Sequence, residues 1–226
     1  MKRNKDISRI VLKQPAFILG NGPSRLHLNS AEKLMQHGTV WGCNALYRDF
    51  TPHILVAVDR KMQEEILSHN YTGRCYFRQA GTSQYLPNLP NITVFRQKIS
   101  TPNNSGIAAI YHALKAGHKT IYLIGFDLKN PKESCNIYAG TENYLNHNHK
   151  PPKIRRDIPE KISYYTTNNP TIAWYRVYDP HMTWVPVEGQ SPVYGEPQQI
   201  LTKGFNPPFM TNITYQEFNH EFTQRN

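Results

Sequence analysis

The stretch Ala16-Phe17-Ile18-Leu19-Gly20-Asn21-Gly22-Pro23-Ser24 limits the possible folds of this chain more than any other. Four apolar residues run directly into Gly-Asn-Gly-Pro-Ser, the pattern of a buried parallel strand that ends in a tight turn and opens a helix. Backbone N–H groups in such a turn face whatever sits above the sheet, and a helix N-terminus adds roughly half a positive charge there. An anion is the guest this arrangement favours. Glycines at 20 and 22 let the backbone approach a phosphate, Asn21 offers hydrogen bonds to a base, ribose or phosphate, and Ser24 serves as N-cap or as phosphate ligand. A plain strand–turn–helix corner fits the same residues, because the segment has neither the GxGxxG nor the GxxxxGK[ST] spacing.

Other strand candidates end in the same way. Thr39-Val40-Trp41-Gly42-Cys43-Asn44 reads as a second strand that finishes at Asn44, and Pro52-His53-Ile54-Leu55-Val56-Ala57-Val58-Asp59 as a third that finishes in an acid. In an open parallel sheet ligands bind at the carboxyl ends of the strands, where the strand order reverses, so Asn21, Asn44 and Asp59 are expected to converge on one crevice. Each of the three is also an ordinary turn former. Between these strands a helix is expected from Asn29 or Ser30 toward Gly38, and another over residues 60–67. Residues 74–77 and 92–95 are short strand candidates. Asn103-Asn104-Ser105-Gly106 then caps a helix that runs through Ala116 to Gly117, with small residues suited to close packing on a sheet. Its Ser-Gly opening is a second candidate cradle for a phosphate or carboxylate, or a plain capped helix. The clearest central strand follows at 119–127 and finishes in Gly125-Phe126-Asp127.

Composition narrows the class. The 226 residues suit one domain with room for an insertion, and no run approaches the roughly 18 apolar residues of a membrane span. No secretory apolar core follows the basic N-terminus, so a soluble cytoplasmic protein is expected. Cys43, Cys75 and Cys135 lie far apart without metal-ligand spacing, and neither a disulfide framework nor a bound metal is expected. The formal charge of +10 calls for an acidic partner. Lys and Arg are scattered, without a basic helical stripe or an RNA-binding aromatic motif, which favours a small anionic ligand over nucleic acid.

Taken in order, strand-GNGPS, strand-CN, strand-Val-Asp and then Ser-Gly-helix-Ala-Gly-His-Lys-strand-Gly-Phe-Asp resembles the bacterial sialyltransferases of glycosyltransferase family 42. The same order is similar to the MptE-like proteins (domain of unknown function 115), which include archaeal hydroxymethylpterin pyrophosphokinases and flagellin-glycosylation factors. The resemblance spans about residues 15–140. It implies cytidine-nucleotide contacts at Asn21 and Asn44, donor neighbours at Ser105 and Gly106, and a phosphate-holding tyrosine at Tyr138. Those enzymes carry a second phosphate-binding tyrosine just past the Asp, where this chain has Lys129, a cation. Their third nucleotide-contacting Asn aligns with Asp59, and an acid there is closer to the pyrophosphokinase branch. Their histidine base lies in the segment that follows, which here offers His147 and His149. A histidine suits removal of a proton from an acceptor hydroxyl, although His-x-His in an Asn-rich loop is also simply a solvated pair.

Residues 150–208 are punctuated by proline and interleaved with aromatics, suited either to sugar rings or to a small satellite core. A short helix is expected from Pro170 through Tyr178, a last strand at 209–214 and a terminal helix at 215–222. The expectation is a single α/β domain over residues 1–226, a Rossmann-like parallel sheet with helices on both faces and an irregular C-terminal lid drawn from 130–205. Its expected activity is glycosyl transfer from an anionic, CMP-type nucleotide sugar, sialyl-like, to a glycan or other hydroxyl acceptor, with no obligatory cofactor. The rival readings are a Mg²⁺-dependent pterin diphosphotransferase, with Asp59 and Asp127 holding the ion between phosphates, and a non-catalytic nucleotide-binding relative.

Overall fold

The computed structural model describes residues 14–79, 89–96, 104–127, 136–144, 158–178 and 207–223. These residues form an eight-stranded, all-parallel sheet: β1 (Ala16–Leu19), β2 (Thr39–Cys43), β3 (Ile54–Ala57), β4 (Cys75–Gln79), β5 (Ile92–Arg96), β6 (Thr120–Ile124), β7 (Ala173–Tyr178) and β8 (Met210–Thr214). In space the order is β5-β4-β3-β2-β1-β6-β7-β8, each neighbour pair parallel. The fold is therefore Rossmann-like, with the strand order reversing between β1 and β6.

Alternation along each strand divides the core into two layers. Ala16, Ile18, Trp41, Val56 and Leu123 pack with α2 (Ser105–Lys115) and with Ile162 of α3 (Ile158–Asn168). Phe17, Leu19, Val40, Leu55 and Tyr122 pack on the opposite face with α1 (Arg60–Ser68), with α4 (Tyr215–Phe222) and with the short 3₁₀ turns. Helices thus cover both faces. All four residues of β1 are fully buried, as expected of a strand at the centre of a parallel sheet. Among the described residues no helix is long and apolar enough to cross a membrane.

Two expectations are corrected. In place of the helix predicted from Asn29 or Ser30 there is one 3₁₀ turn, Lys33–Gln36, and a second, Pro23–His27, precedes that span. Asn219 of α4 intervenes: its Nδ2 donates to the His27 carbonyl at 2.8 Å and its Oδ1 accepts from the Asn29 N–H at 3.2 Å. These bonds fix the backbone at and just before the expected helix start, and from there to Gly38 only Lys33–Gln36 are helical. Further on, residues 173–178 are strand β7 and not a helix, paired with β6 on one side and β8 on the other. Pro170 follows the end of α3, and Asn169 turns the chain by accepting the Ile172 N–H at 3.2 Å. Both α3 and β7 fall within the span 130–205 expected as a lid, where they belong to the regular layers. Residues 136–144 are described below, and the rest of that span lies outside the described residues.

Buried imidazoles leave a pH signature. His112 on α2 lies among the rings of Tyr76, Phe95 and Tyr111, with centroids 4.6 to 5.2 Å away. Its Nε2 is buried without a partner among the described residues. Burial, aided by the Lys115 charge, pushes its pKa down to about 4. Burial also lowers His118, against the hydrogen bond from its Nδ1 to the Gln14 carbonyl, and lowers His53. Their folded pKa values lie below the unfolded value of about 6.5, so acid gives the unfolded chain protons that the fold refuses. Urea stability is expected to fall as pH drops from about 6.5 toward 4, and His112→Gln to flatten part of that slope in parallel urea titrations.

Candidate functional site

Where the strand order reverses, β1 and β6 stay joined beyond their last paired residues. Gly20 N–H donates to the Ile124 carbonyl at 2.8 Å and Gly22 N–H to the Gly125 carbonyl at 2.9 Å. Only glycine permits this approach, since a Cβ on Gly20 would stand 2.6 Å from the Gly125 oxygen. Gly125 itself has φ +70°, a left-handed conformation that favours glycine.

The turn after β1 opens a five-residue 3₁₀ helix, so the long aligned helix expected to draw an anion is not there. An anion is nevertheless seated, and the chain supplies it. Asp127 Oδ2 accepts the Ser24 N–H at 2.6 Å, and a Cβ on Gly22 would meet the same oxygen at 2.5 Å. The Ser24 hydroxyl pairs with the Tyr215 hydroxyl at 3.1 Å, and Tyr215 in turn accepts the Gly125 N–H at 3.3 Å. Gly22, Ser24 and Asp127 are thus brought together as a lock between β1, β6 and α4, and Ser24 is 2% exposed.

The other strand ends form a linked series. Asn21 Nδ2 donates to the Cys43 carbonyl and to the Tyr144 hydroxyl, each at 3.3 Å, and its Oδ1 accepts from Arg25 Nη1 at 3.2 Å. Asn44 follows β2 at φ 52°, a strained left-handed position that Asn tolerates better than most residues. Its Oδ1 accepts the Ser105 hydroxyl at 2.6 Å, and Ser105 Oγ accepts the Val58 N–H at 3.1 Å. Asp59 comes next in the chain, exposed, at the N-cap position of α1 without a side-chain capping bond. Asn104 caps α2 by accepting the N–H groups of Gly106 and Ile107 at 2.9 and 3.2 Å. Asn21, Asn44, Asp59, Ser105 and Gly106 therefore all stand at one edge, around the ends of β1, β2 and β3. Lys129, His147 and His149 lie outside the described residues.

Sequence reasoning missed the residues that fasten segment 136–144 over this edge. Ile137 N–H donates to the Asn21 carbonyl at 2.9 Å. Arg25, 7% exposed, donates to Asp49 at 2.6 Å and to the Tyr138 hydroxyl at 2.7 Å. Tyr138 in turn donates to Asp49 at 2.6 Å, so its phenol is committed to an internal ion pair. Burial, with the Asp49 hydrogen bond adding to it against Arg25, raises the Tyr138 pKa. A second clasp centres on Glu65, whose carboxylate accepts from Tyr47, Arg48 and Asn143 at 2.5 to 2.9 Å. Arg48 also reaches Thr141 and the Glu142 carbonyl at 2.8 and 3.1 Å. These partners are far apart in sequence, and an arginine in a polar loop gave no signal of its role.

Chemically the edge offers amides, a hydroxyl, a carboxylate and capped helix ends. Burial raises the Cys43 thiol to about 12, which removes it as a nucleophile near neutral pH. Among the described residues no three His, Cys, Asp or Glu are placed to hold a metal ion.

Two outcomes follow for stability. Asp127→Ala leaves the buried-side N–H of Ser24 without its acceptor and is expected to cost about 1–3 kcal/mol in urea unfolding. Glu65→Ala strands Arg48, 21% exposed in its side chain, and is expected to cost about 3 kcal/mol. Burial alone would raise the Glu65 pKa, but the hydrogen bonds from Tyr47, Asn143 and Arg48 and the Arg48 charge bring it below the ordinary carboxylate value. Its contribution is present above the unfolded pKa of about 4.3 and is lost as pH falls through the lower folded value, so the E65A deficit should shrink in acid.

No protein-family model matches the chain and no curated protein matches it.

Proposed function

We propose that the chain binds an anionic nucleotide sugar at this edge and transfers a sialic-acid-like sugar to an acceptor hydroxyl. One observation carries the reading: Asn21, Asn44 and Asp59 end three adjacent parallel strands, and Ser105 ties Asn44 to β3 beside the reversal of strand order. A fixed amide at Asn44 suits the edge of a base or ribose, its strained backbone is consistent with a position retained for its contacts, and Asn21, whose amide is bonded within the chain, frames the crevice. Asp59 suits a ribose hydroxyl, as an acid at a strand end does in dinucleotide folds. The resemblance to family 42 sialyltransferases supplies the sugar class.

In this reading the acceptor oxygen forms the new bond to the sugar as the bond to the nucleotide phosphate breaks. The phosphate leaves with the electron pair, and the acceptor proton passes to a base. His147 and His149 are the residues proposed for that proton. The internal partners of Ser24 and Tyr138 direct phosphate binding elsewhere along the edge.

Thermal-shift titration tests the reading. CMP is expected to raise the melting temperature in a saturable way, and Asn44→Gly, which keeps the left-handed backbone and removes the amide, to weaken CMP by about tenfold. Transfer from a CMP sugar should collapse in a H147A/H149A double variant. Absence of any CMP shift in the folded protein sinks the proposal, and a Mg²⁺-dependent shift with ATP or with a pterin would point to diphosphate transfer instead.

A further inference from the structure

We infer that Arg176 is the anion anchor of the crevice, a buried side chain on β7 whose guanidinium takes a phosphate or carboxylate oxyanion. Arg176 sits centrally on β7, opposite Leu123 of β6 and Asn212 of β8. It is 7% exposed, and its Nε is fully buried without a hydrogen-bond partner. Among the described residues no hydrogen bond or ion pair engages the guanidinium. Arg25 provides the contrast, because it has the same exposure and is bonded to Asn21, Asp49 and Tyr138.

The side chain is directed at the edge of the sheet. Its electrostatic neighbours are Asp127, Tyr215 and Tyr178, which lie at or past the carboxyl ends of β6, β8 and β7. Asp127 lies too far away to form an ion pair with it, and its Oδ2 already accepts the Ser24 N–H at 2.6 Å. A guanidinium does not shed its proton to escape burial, and its planar fork matches an oxyanion in two parallel hydrogen bonds. A buried, charged donor without an acceptor, here the Nε–H, is a costly feature that a bound oxyanion would complete. The position is one strand beyond the reversal, on the side of β6 away from Asn21 and Asn44. An anion held there extends the same edge, so a nucleoside over β1–β3 and a charged group at Arg176 belong to one elongated ligand. That last step rests on the nucleotide-sugar reading. The anion site does not.

The test compares the full chain with its R176M and R176K variants in chloride buffer of constant ionic strength, titrated with inorganic phosphate, acetate, CMP or cytidine. Phosphate or acetate is expected to raise the wild-type melting temperature saturably, the stronger of the two naming the oxyanion. Its affinity should fall at least about tenfold in R176M, and in R176K too, because the ammonium lacks the fork. Without added oxyanion R176M should melt no lower than wild type, since it removes an unpaired buried charge. An R176M that melts several degrees lower and keeps the full phosphate and acetate response overturns the inference, as does unchanged oxyanion affinity in a folded R176K. CMP protecting wild type and R176M equally overturns it while leaving the nucleotide reading intact. An Arg176-dependent phosphate response, with CMP binding no better than phosphate, supports the anion site and sinks the nucleotide reading.

Discussion

The pairing of β1 with β6 is the constraint on which the remaining architecture depends. The two strands are separated by about a hundred residues of chain, yet their backbones continue hydrogen bonding past the strand ends through Gly20, Gly22 and Gly125. A side chain at any of these positions would meet a carbonyl or a neighbouring side chain within 3 Å or so. This approach places Asp127 under the Ser24 N–H and brings the hydroxyl of Tyr215 of α4 onto Ser24 Oγ and the Gly125 N–H. It also sets the point from which loops leave in opposite directions, which is where an open parallel sheet forms a crevice.

Around that junction the protein spends its long-range polar contacts on holding one short segment. Arg25 with Asp49, and Glu65 with Arg48, fasten residues 136–144 over the ends of β1 and β2, and Tyr144 reaches Asn21. Both anchoring groups are nearly fully buried, so their geometry is set by packing as well as by charge. The result is an edge with unlike halves. Over β1 the polar groups are paired within the chain, whereas at β7 a buried guanidinium meets no acceptor among the described residues.

Particular residues explain how far the sequence could be read. The runs at 16–19, 39–43, 54–57 and 120–124 are apolar because parallel strands are buried on both faces, and that signal needs no knowledge of partners. Residues 173–178 mix Trp, Tyr and Arg behind a proline, and their strand state comes from pairing with β6 and β8. At 29–35 the helical signals gave only the short 3₁₀ turn Lys33–Gln36, and Asn219, nearly two hundred residues later, fixes the backbone of His27 and Asn29 ahead of it. In the candidate site, Asn21, Asn44, Asp59 and Asp127 were legible as polar ends of apolar runs, and Ser105 as the opening of a helix. Arg25, Glu65, Tyr144 and Arg176 were not, since nothing local distinguishes a buried arginine or glutamate from an exposed one.

By itself the sequence determined that this chain builds a parallel sheet with polar residues at its strand ends, because hydrophobic runs and glycine turns act over a few residues. Only the tertiary structure decided which of those polar groups face one another. The GNGPS turn is satisfied by the chain's own Asp127, and Arg176 is buried without an acceptor among the described residues. Hydrogen bonds and desolvation depend on distance in space, and the residues that make or miss them here are separated by tens to hundreds of positions.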